Sequence, residues 1–347
     1  MTRVYCIGEG LVTPVGSTPE EVLAAVREGR SRLLFDKEGF SGASFFETIA
    51  TDAARKAIGG IEISPRTGFI LSTTKGNVEH IGKADISLAQ SARHIADAIG
   101  ITTAPVVVSN ACISGVAALL QGMRMIRGGE YDSVVVVGAE VQSEFIHSGF
   151  DCLKALSPEP CRPFDKDRRG LNLGEAAAAM VLSSSALPDR PSPWELLDGV
   201  IRNDANHISG PSRTGEGSYK CLRYVMEGIS KEDIAFISLH GTATPYNDEM
   251  ESVALERAGL SHVPVNALKG NFGHTLGAAG ILETIVSMAA LDNGIVLPTK
   301  GFHELGVSHP VNISAVERPA SGKLFIKLLS GFGGVNGAMV LRKGGAL

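Results

Sequence analysis

Among the five cysteines of the chain, Cys112 stands where a nucleophile could work. It follows the β-branched run PVVVS and precedes the small-residue helical stretch ISGVAALL. A strand-to-helix turn lifts a side chain off the sheet edge and surrounds it with backbone N–H groups. The partial positive charge of a helix N-terminus favours the thiolate, so the expected thiol pKa falls from about 8.5 to about 7.5 or below. Ser114 and Gly115 supply the small residues such a turn needs. Cys6 lies in a strand run, and Cys152, Cys161 and Cys221 have no comparable setting. An odd, widely spaced set without a CxxC pair argues against a disulfide framework or a zinc site. His240 ends the run IAFISL and enters GTATP, at the C-terminal strand edge where parallel sheets usually carry their sites. His274 follows KGNFG and precedes the helical LGAAGILE, where a neutral imidazole donor is favoured over the cation. Lys269 lies in the same glycine-containing loop, a poor place for a solvated ammonium. The closing segment SGFGGVNGAMVL sets glycines on both sides of Phe332, so backbone N–H groups can approach a reacting oxygen.

These residues need a frame. Short β-branched runs at Val4–Gly8, Thr67–Ser72, 105–109 and Ser133–Gly138 read as buried strands. In the second half, 176–182, 234–239, 263–268 and 324–328 read the same way. Helices are expected over 19–30, 87–98, 113–127, 217–228, 248–258 and 276–291. The alternation implies an α/β fold with largely parallel sheets. A proline-containing stretch with Pro188, Pro191 and Pro193 divides the chain into halves, residues 1–187 with the cysteine and 188–347 with the histidines. VVVSNACISGVAALLQG and VPVNALKGNFGHTLGAAGILE share one plan of strand, turn and small-residue helix. Two similar halves packed back to back make a layered α/β/α arrangement, with these apolar helices inside it.

The 347 residues are 44% hydrophobic and 20% charged, enough for a large core and too apolar for global disorder. A formal net charge of −5 argues against a general nucleic-acid binder. No apolar run reaches the length of a membrane span, and the N-terminus enters a strand without a signal-like stretch. The expected setting is reducing and cytoplasmic.

With Cys112, His240, Lys269, His274 and the final glycine-rich loop in hand, the chain resembles the β-ketoacyl-acyl-carrier-protein synthases of the elongating Cys-His-His class. The segments that carry the resemblance are SNACISG, CRPFDKDRRGLNLGEAAAAMVL, DANHISGP, LHGTATPYND, NALKGNFGHTLGAAGILE and SGFGGVNGAM, in that order. The resemblance implies a thiolase-like fold of two similar βαβαβ-type halves in five α/β/α/β/α layers. It implies a decarboxylative Claisen condensation. An acyl group on Cys112 joins malonyl-carrier protein to give a β-ketoacyl chain two carbons longer. The backbone N–H groups of Cys112 and Phe332 form the oxyanion hole, His240 and His274 polarise the malonyl thioester, and Phe332 gates the acyl pocket. Lys269 holds charge near His274, paired with Glu251, and Glu283 supports the site. No cofactor or metal is implied. The implied partners are an acyl carrier protein and a second synthase subunit, in a homodimer or heterodimer whose core is SVVVVG. Carrier docking is assigned to a basic patch drawn from Arg55, Lys56, Arg66, Arg124, Arg127, Arg202 and Arg213.

Two features depart from the fatty-acid enzymes. The chain before Cys112 is short, and Ser330 stands where those enzymes usually carry a second phenylalanine. Both point to specialised polyketide or aryl-polyene synthesis. A different class shares the fold: the non-condensing, chain-length-setting subunit of heterodimeric synthases, which lacks the nucleophile this chain has.

Overall fold

The computed structural model describes residues 2–40, 42, 44–82, 86–187 and 193–344. Five strands come from the first half: β1 (Tyr5–Val12), β2 (Thr67–Ser72), β3 (Val106–Val108), β4 (Ser133–Glu140) and β5 (Ala176–Ser183). The second half adds β6 (Trp194–Asn203), β7 (Ile234–Ser238) and β8 (Val265–Asn266). After a separate pair, β9 (Ile295–Val296) and β10 (Arg318–Pro319), come β11 (Leu324–Gly331) and β12 (Val335–Lys343). The main sheet runs β3-β2-β4-β5-β1-β6-β12-β11-β7-β8. Its two ends are the same design: numbering each half's strands one to five, both read 3-2-4-5-1 outward to inward. The halves are stitched where Tyr5 pairs with Glu195 and Cys6 with Trp194.

Helices are α1 (Pro19–Arg27), α2 (Phe45–Ile58), α3 (Leu88–Ala98), α4 (Ser114–Arg127), α5 (Glu144–Cys152), α6 (Glu216–Val225), α7 (Pro245–Arg257), the single turn α8 (Lys269–Phe272) and α9 (Ala279–Asp292). α4 and α9 form the middle layer, touching each other and strands of both halves. α9 is apolar almost all round because it has no solvent face, and α4 keeps only a narrow polar stripe at Gln121, Arg124 and Arg127. α2 and α3 cover the outer face of the first half and α6 and α7 that of the second, each over its own apolar cluster. The five layers are therefore α, β, α, β, α. The two middle helices cross backbone to backbone. A Cβ on Gly280 would stand 2.6 Å from the Val116 nitrogen, and one on Gly115 would stand 2.9 Å from the Gly280 Cα.

Most strand and helix expectations hold, with revised ends, but several are corrected. The sheet is mixed: β2 is parallel to β3 and β4, and β7 to β8 and β11, whereas β5 and β12 return antiparallel to both neighbours. β6 and β12 were not expected, since one is crossed by Asp198 and Gly199 and the other hides behind the glycine-rich loop. Nor were α2 and α5. SVVVVG cannot form a subunit contact, because it is β4, buried between β2 and β5. The open edge of the first half is β3, whose three valines are only half-buried. Pro188 and Pro191, and with them the expected boundary at 187/188, lie outside the described residues.

Candidate active site

The chain leaves β3, turns at Asn110–Ile113 and enters α4. Ala111 adopts φ +46°, a left-handed conformation that costs about 1–3 kcal/mol for a residue with a Cβ. Ser114 locks the turn: its Oγ accepts from the Asn110 N–H at 2.7 Å and donates to the Ala111 carbonyl at 2.6 Å. Cys112 thus sits at the apex, 6% exposed, against Val78, Ile146, Leu171, Leu173 and Leu276. The final loop closes over it. A Cβ on Gly331 would stand 3.1 Å from the Cys112 nitrogen, a tight fit that glycine relieves where the Phe332 N–H approaches the sulfur.

The expected thiolate is corrected. Burial pushes the Cys112 thiol up to about 11, and Lys269 and the Phe332 N–H offset only part of that. α4 begins at Ser114, so Cys112 precedes the first helical turn, and the apolar cluster outweighs the helix terminus. At neutral pH the resting group is the thiol.

His240 and His274 meet Cys112 from the second half. One donor atom of each of the three residues lies within 4.8 Å of the others, and the imidazole rings are 5.1 Å apart at 79°. His240 is held by its backbone: its N–H donates to Glu251 Oε1 at 2.7 Å, and its carbonyl accepts from Lys269 Nζ at 2.7 Å. Its Nδ1 is buried with no partner among the described residues. The His274 N–H donates to the Asn172 carbonyl at 2.7 Å. Its Nδ1 accepts from the Leu276 N–H at 3.2 Å, which leaves the ring proton on Nε2, buried and without a partner among the described residues. Burial, then Lys269, holds both imidazoles well below their usual pKa, and Lys327 adds to this. Both are neutral, as expected for His274. The cause is burial, because a 3-10 turn (Leu276–Ala278) separates His274 from α9.

The expected Lys269–Glu251 pair is also corrected. Lys269 pairs with Glu283 at 2.8 Å. Glu251 is already occupied by the N–H groups of His240 and Gly241 and by Asn247 Nδ2. Burial, then the neighbouring Asp248, pushes its carboxyl up to about 7. Glu283 stays ionised: burial pushes its pKa up, but Lys269 and Lys327 pull it below the usual range. Lys327, wholly buried on β11, was missed by the sequence reading. The available signal was a lysine inside the run LFIKLLS, where a strand buried on both faces has no place for one. Glu140 was missed too. Its carboxylate accepts from Thr73 Oγ1 at 2.6 Å, Thr74 Oγ1 at 2.7 Å and the Gly277 N–H at 2.8 Å, tying β4 to the segment after His274.

A cavity of about 480 Å³ is lined by Cys112, His240, His274, Ser330 and Phe332 and runs outward past Tyr246. The Phe332 ring stacks on Phe150 at 5.5 Å. Ser330 donates to Asn336 Oδ1 at 2.9 Å and gives the cavity wall a polar group at that place. Lys154 and Arg169 stand on the cavity lining, whereas none of the seven expected docking residues does. Of those, Arg66 is bound to Asp132 and Lys56 to the carbonyls of Leu11 and Ser17.

A duplicated five-layer fold, with a thiol and two neutral imidazoles meeting at its middle layer, is that of a thiolase-type acyltransferase. Residues 70–186 match the N-terminal domain of β-ketoacyl synthases and residues 195–303 the C-terminal domain. The chain is 28% identical to a 3-oxoacyl-[acyl-carrier-protein] synthase 2 of Vibrio cholerae, covering 98% of this chain and 99% of that one. That alignment runs over 409 positions against the 347 residues here, so the relative holds segments this chain lacks. Among solved structures, the ishigamide ketosynthase/chain length factor superposes with a TM-score of 0.88 at 27% identity, covering 99% of this chain and 100% of that one. A β-ketoacyl synthase from Burkholderia phymatum gives 0.87 at 25% identity, with the same coverage. The chain belongs to the β-ketoacyl synthase family and is a condensing enzyme.

Proposed function

We propose that Cys112 takes the acyl group and that His240 and His274 drive the malonyl half of the condensation. His240 has a ring nitrogen free to accept the Cys112 proton, and the sulfur adds to the thioester carbonyl of an acyl-carrier. Its oxyanion is held by the N–H groups of Cys112 and Phe332, and the carrier's phosphopantetheine thiolate leaves and takes up the proton. Malonyl-carrier then enters. Its C–CO2 bond breaks, carbon dioxide departs, and the electron pair becomes an enolate whose oxygen accepts from His274 Nε2–H and from His240. The enolate carbon attacks the acyl carbonyl on Cys112, the C–S bond breaks, and the Cys112 thiolate takes a proton from solvent, replacing the one that left on the phosphopantetheine thiol. Lys269 and Glu283 hold His240 from behind, Glu251 fixes its backbone, and Phe332 gates entry. The observation that carries this reading is the meeting of one thiol with two uncharged imidazoles, one of which has its proton fixed on Nε2.

Residues 1–187 form the acylated half and 188–347 the half that handles malonate. The enzyme works in the cytoplasm on carrier-bound substrates, with the carrier meeting Lys154 and Arg169 at the cavity. It pairs with a second copy or a related subunit along β3. Ser330 and the short chain before Cys112 favour a specialised polyketide or aryl-polyene product over a housekeeping fatty acid. Intact mass after incubation with an acyl-carrier tests the reading. One acyl adduct per chain is expected, whereas a chain-length-setting subunit stays unmodified.

A further inference from the structure

One charged group beside the site has no part in the chemistry above. Lys327 lies in the middle of β11 with its side chain wholly buried. Placing an ammonium there is costly unless oxygens replace its water. Four do: Glu283 Oε2 at 2.5 Å, Ser238 Oγ at 3.1 Å, the Leu239 carbonyl at 3.2 Å and the Ser238 carbonyl at 3.3 Å. Two of these carbonyls belong to the residues immediately before His240. The carboxylate belongs to α9, the helix that follows His274. Lys269 bridges the same two segments from the other side, donating to the His240 carbonyl and to Glu283 Oε1.

We propose that Lys327 is a positioning residue for the malonyl half-reaction, an internal cation that clamps the strand end bearing His240 to the helix behind His274. The proposal rests on the roles given above to the two histidines. Without Lys327, Glu283 keeps one ammonium and loses the other, and the carbonyls of Ser238 and Leu239 lose their shared donor. The β7 end is then free to shift against α9, and the spacing of the two imidazoles shifts with it. The charge acts in the same direction as the geometry. Burial lowers the Lys327 ammonium to about 8, still charged at neutral pH, and with Lys269 and Glu283 it leaves one net positive charge behind the histidines, facing Glu251 on α7. Burial makes both rings neutral donors, and that charge adds to it by disfavouring a second cation on either ring. Cys112 lies in the other half, in an apolar cluster that does not include Lys327, and its acylation needs a single free ring nitrogen of His240 and not the spacing between the two imidazoles, so it depends on the clamp far less than the malonyl step does.

The test separates the two half-reactions in Lys327→Met. Carbon dioxide release from malonyl-carrier is expected to fall about 10–100-fold, while acylation of Cys112 stays within about threefold. In Lys327→Ala, added methylammonium is expected to restore part of the release by occupying the four-oxygen cage. A parallel fall in both half-reactions, or no fall in either, overturns the proposal. If Lys327→Met does not fold, Ser238→Ala takes its place, since it removes only one of the four oxygens. A fall of about threefold confined to carbon dioxide release is expected, and unchanged release overturns the clamp. A wild-type enzyme that acylates but releases no carbon dioxide refutes the histidine assignment itself, a different result from any variant effect.

Discussion

The two halves can be laid over one another strand by strand, and their differences divide the chemistry. In the first half, β3 leads through a tight turn with Cys112 into α4. In the second, β8 leads through the α8 turn and His274 into α9. Across the sheet, Gly138, Ser72 and Val108 form one row in register in the first half. Lys327, Ser238 and Asn266 form the matching row in the second. Glycine at position 138 lets the 3-10 turn before α9 close in, since a Cβ there would meet the Ala278 Cα at 3.1 Å. At the matching place in the second half, an ammonium fills the space and holds Glu283. The thiol is thus surrounded by carbon, mostly from its own half with Leu276 from the other, and the imidazoles are set against a buried cation–anion cluster. An apolar setting keeps the resting thiol protonated and suits an acyl chain. A charged, dry setting keeps donors neutral and oriented, which suits an enolate.

The largest effect that could break this contrast is at the nucleophile. Cys112→Ala is expected to lower condensation by at least about 10³-fold, read as β-ketoacyl product formed per minute. A variant that still condenses within tenfold of wild type would falsify the nucleophile assignment.

Next comes the seam between the halves. Gly280→Val forces a side chain into the α4 backbone, and a loss of about 1–3 kcal/mol or more is expected in denaturant unfolding. Unchanged stability means that α4 and α9 do not cross this closely.

The protonation state of Cys112 sharpens the contrast further. A group raised to about 11 is neutral at pH 7, and its thiolate fraction grows tenfold for each pH unit below that value. Alkylation of Cys112 by iodoacetamide should therefore climb steadily from pH 7 to pH 10. A plateau below pH 8 would mean that the helix terminus, and not the apolar pocket, sets the thiol.

The smallest effect is at the cavity mouth. Lys154→Glu should slow turnover of carrier-bound substrate a fewfold at low salt and leave a small pantetheine thioester unaffected. Equal effects on both substrates would remove Lys154 from the docking surface.

How much of this was legible beforehand follows from where each signal lies. The buried strands announce themselves as β-branched runs, and Cys112, His240 and His274 stand at the joints between strand and helix. Distances between those joints do not appear in a linear pattern, so the Lys269–Glu283 pair was misassigned to Glu251. Fourteen positions separate Lys269 from Glu283, and only the packing of α8 on α9 brings them together. Lys327 was passed over because a strand pattern absorbs one polar residue without changing its period. β12 was hidden because its first residues double as the glycine-rich loop over Cys112. The thiol pKa failed for a further reason: a helix terminus can be read from sequence, but the apolar cluster around Cys112 is drawn from segments as distant as Val78 and Leu276.

The central claim is that the reaction is divided between the halves, and a crossed pair of variants tests it most directly. Cys112→Ala and His274→Ala are each incubated separately with acyl-carrier, read by intact mass and peptide mapping, and with malonyl-carrier, read by carbon dioxide release. The account predicts that His274→Ala still carries an acyl group on Cys112 but releases little carbon dioxide. It predicts that Cys112→Ala carries no acyl group yet still decarboxylates malonyl-carrier. An acyl group mapped to Cys6, Cys152, Cys161 or Cys221, or a His274→Ala enzyme that decarboxylates but cannot be acylated, contradicts it.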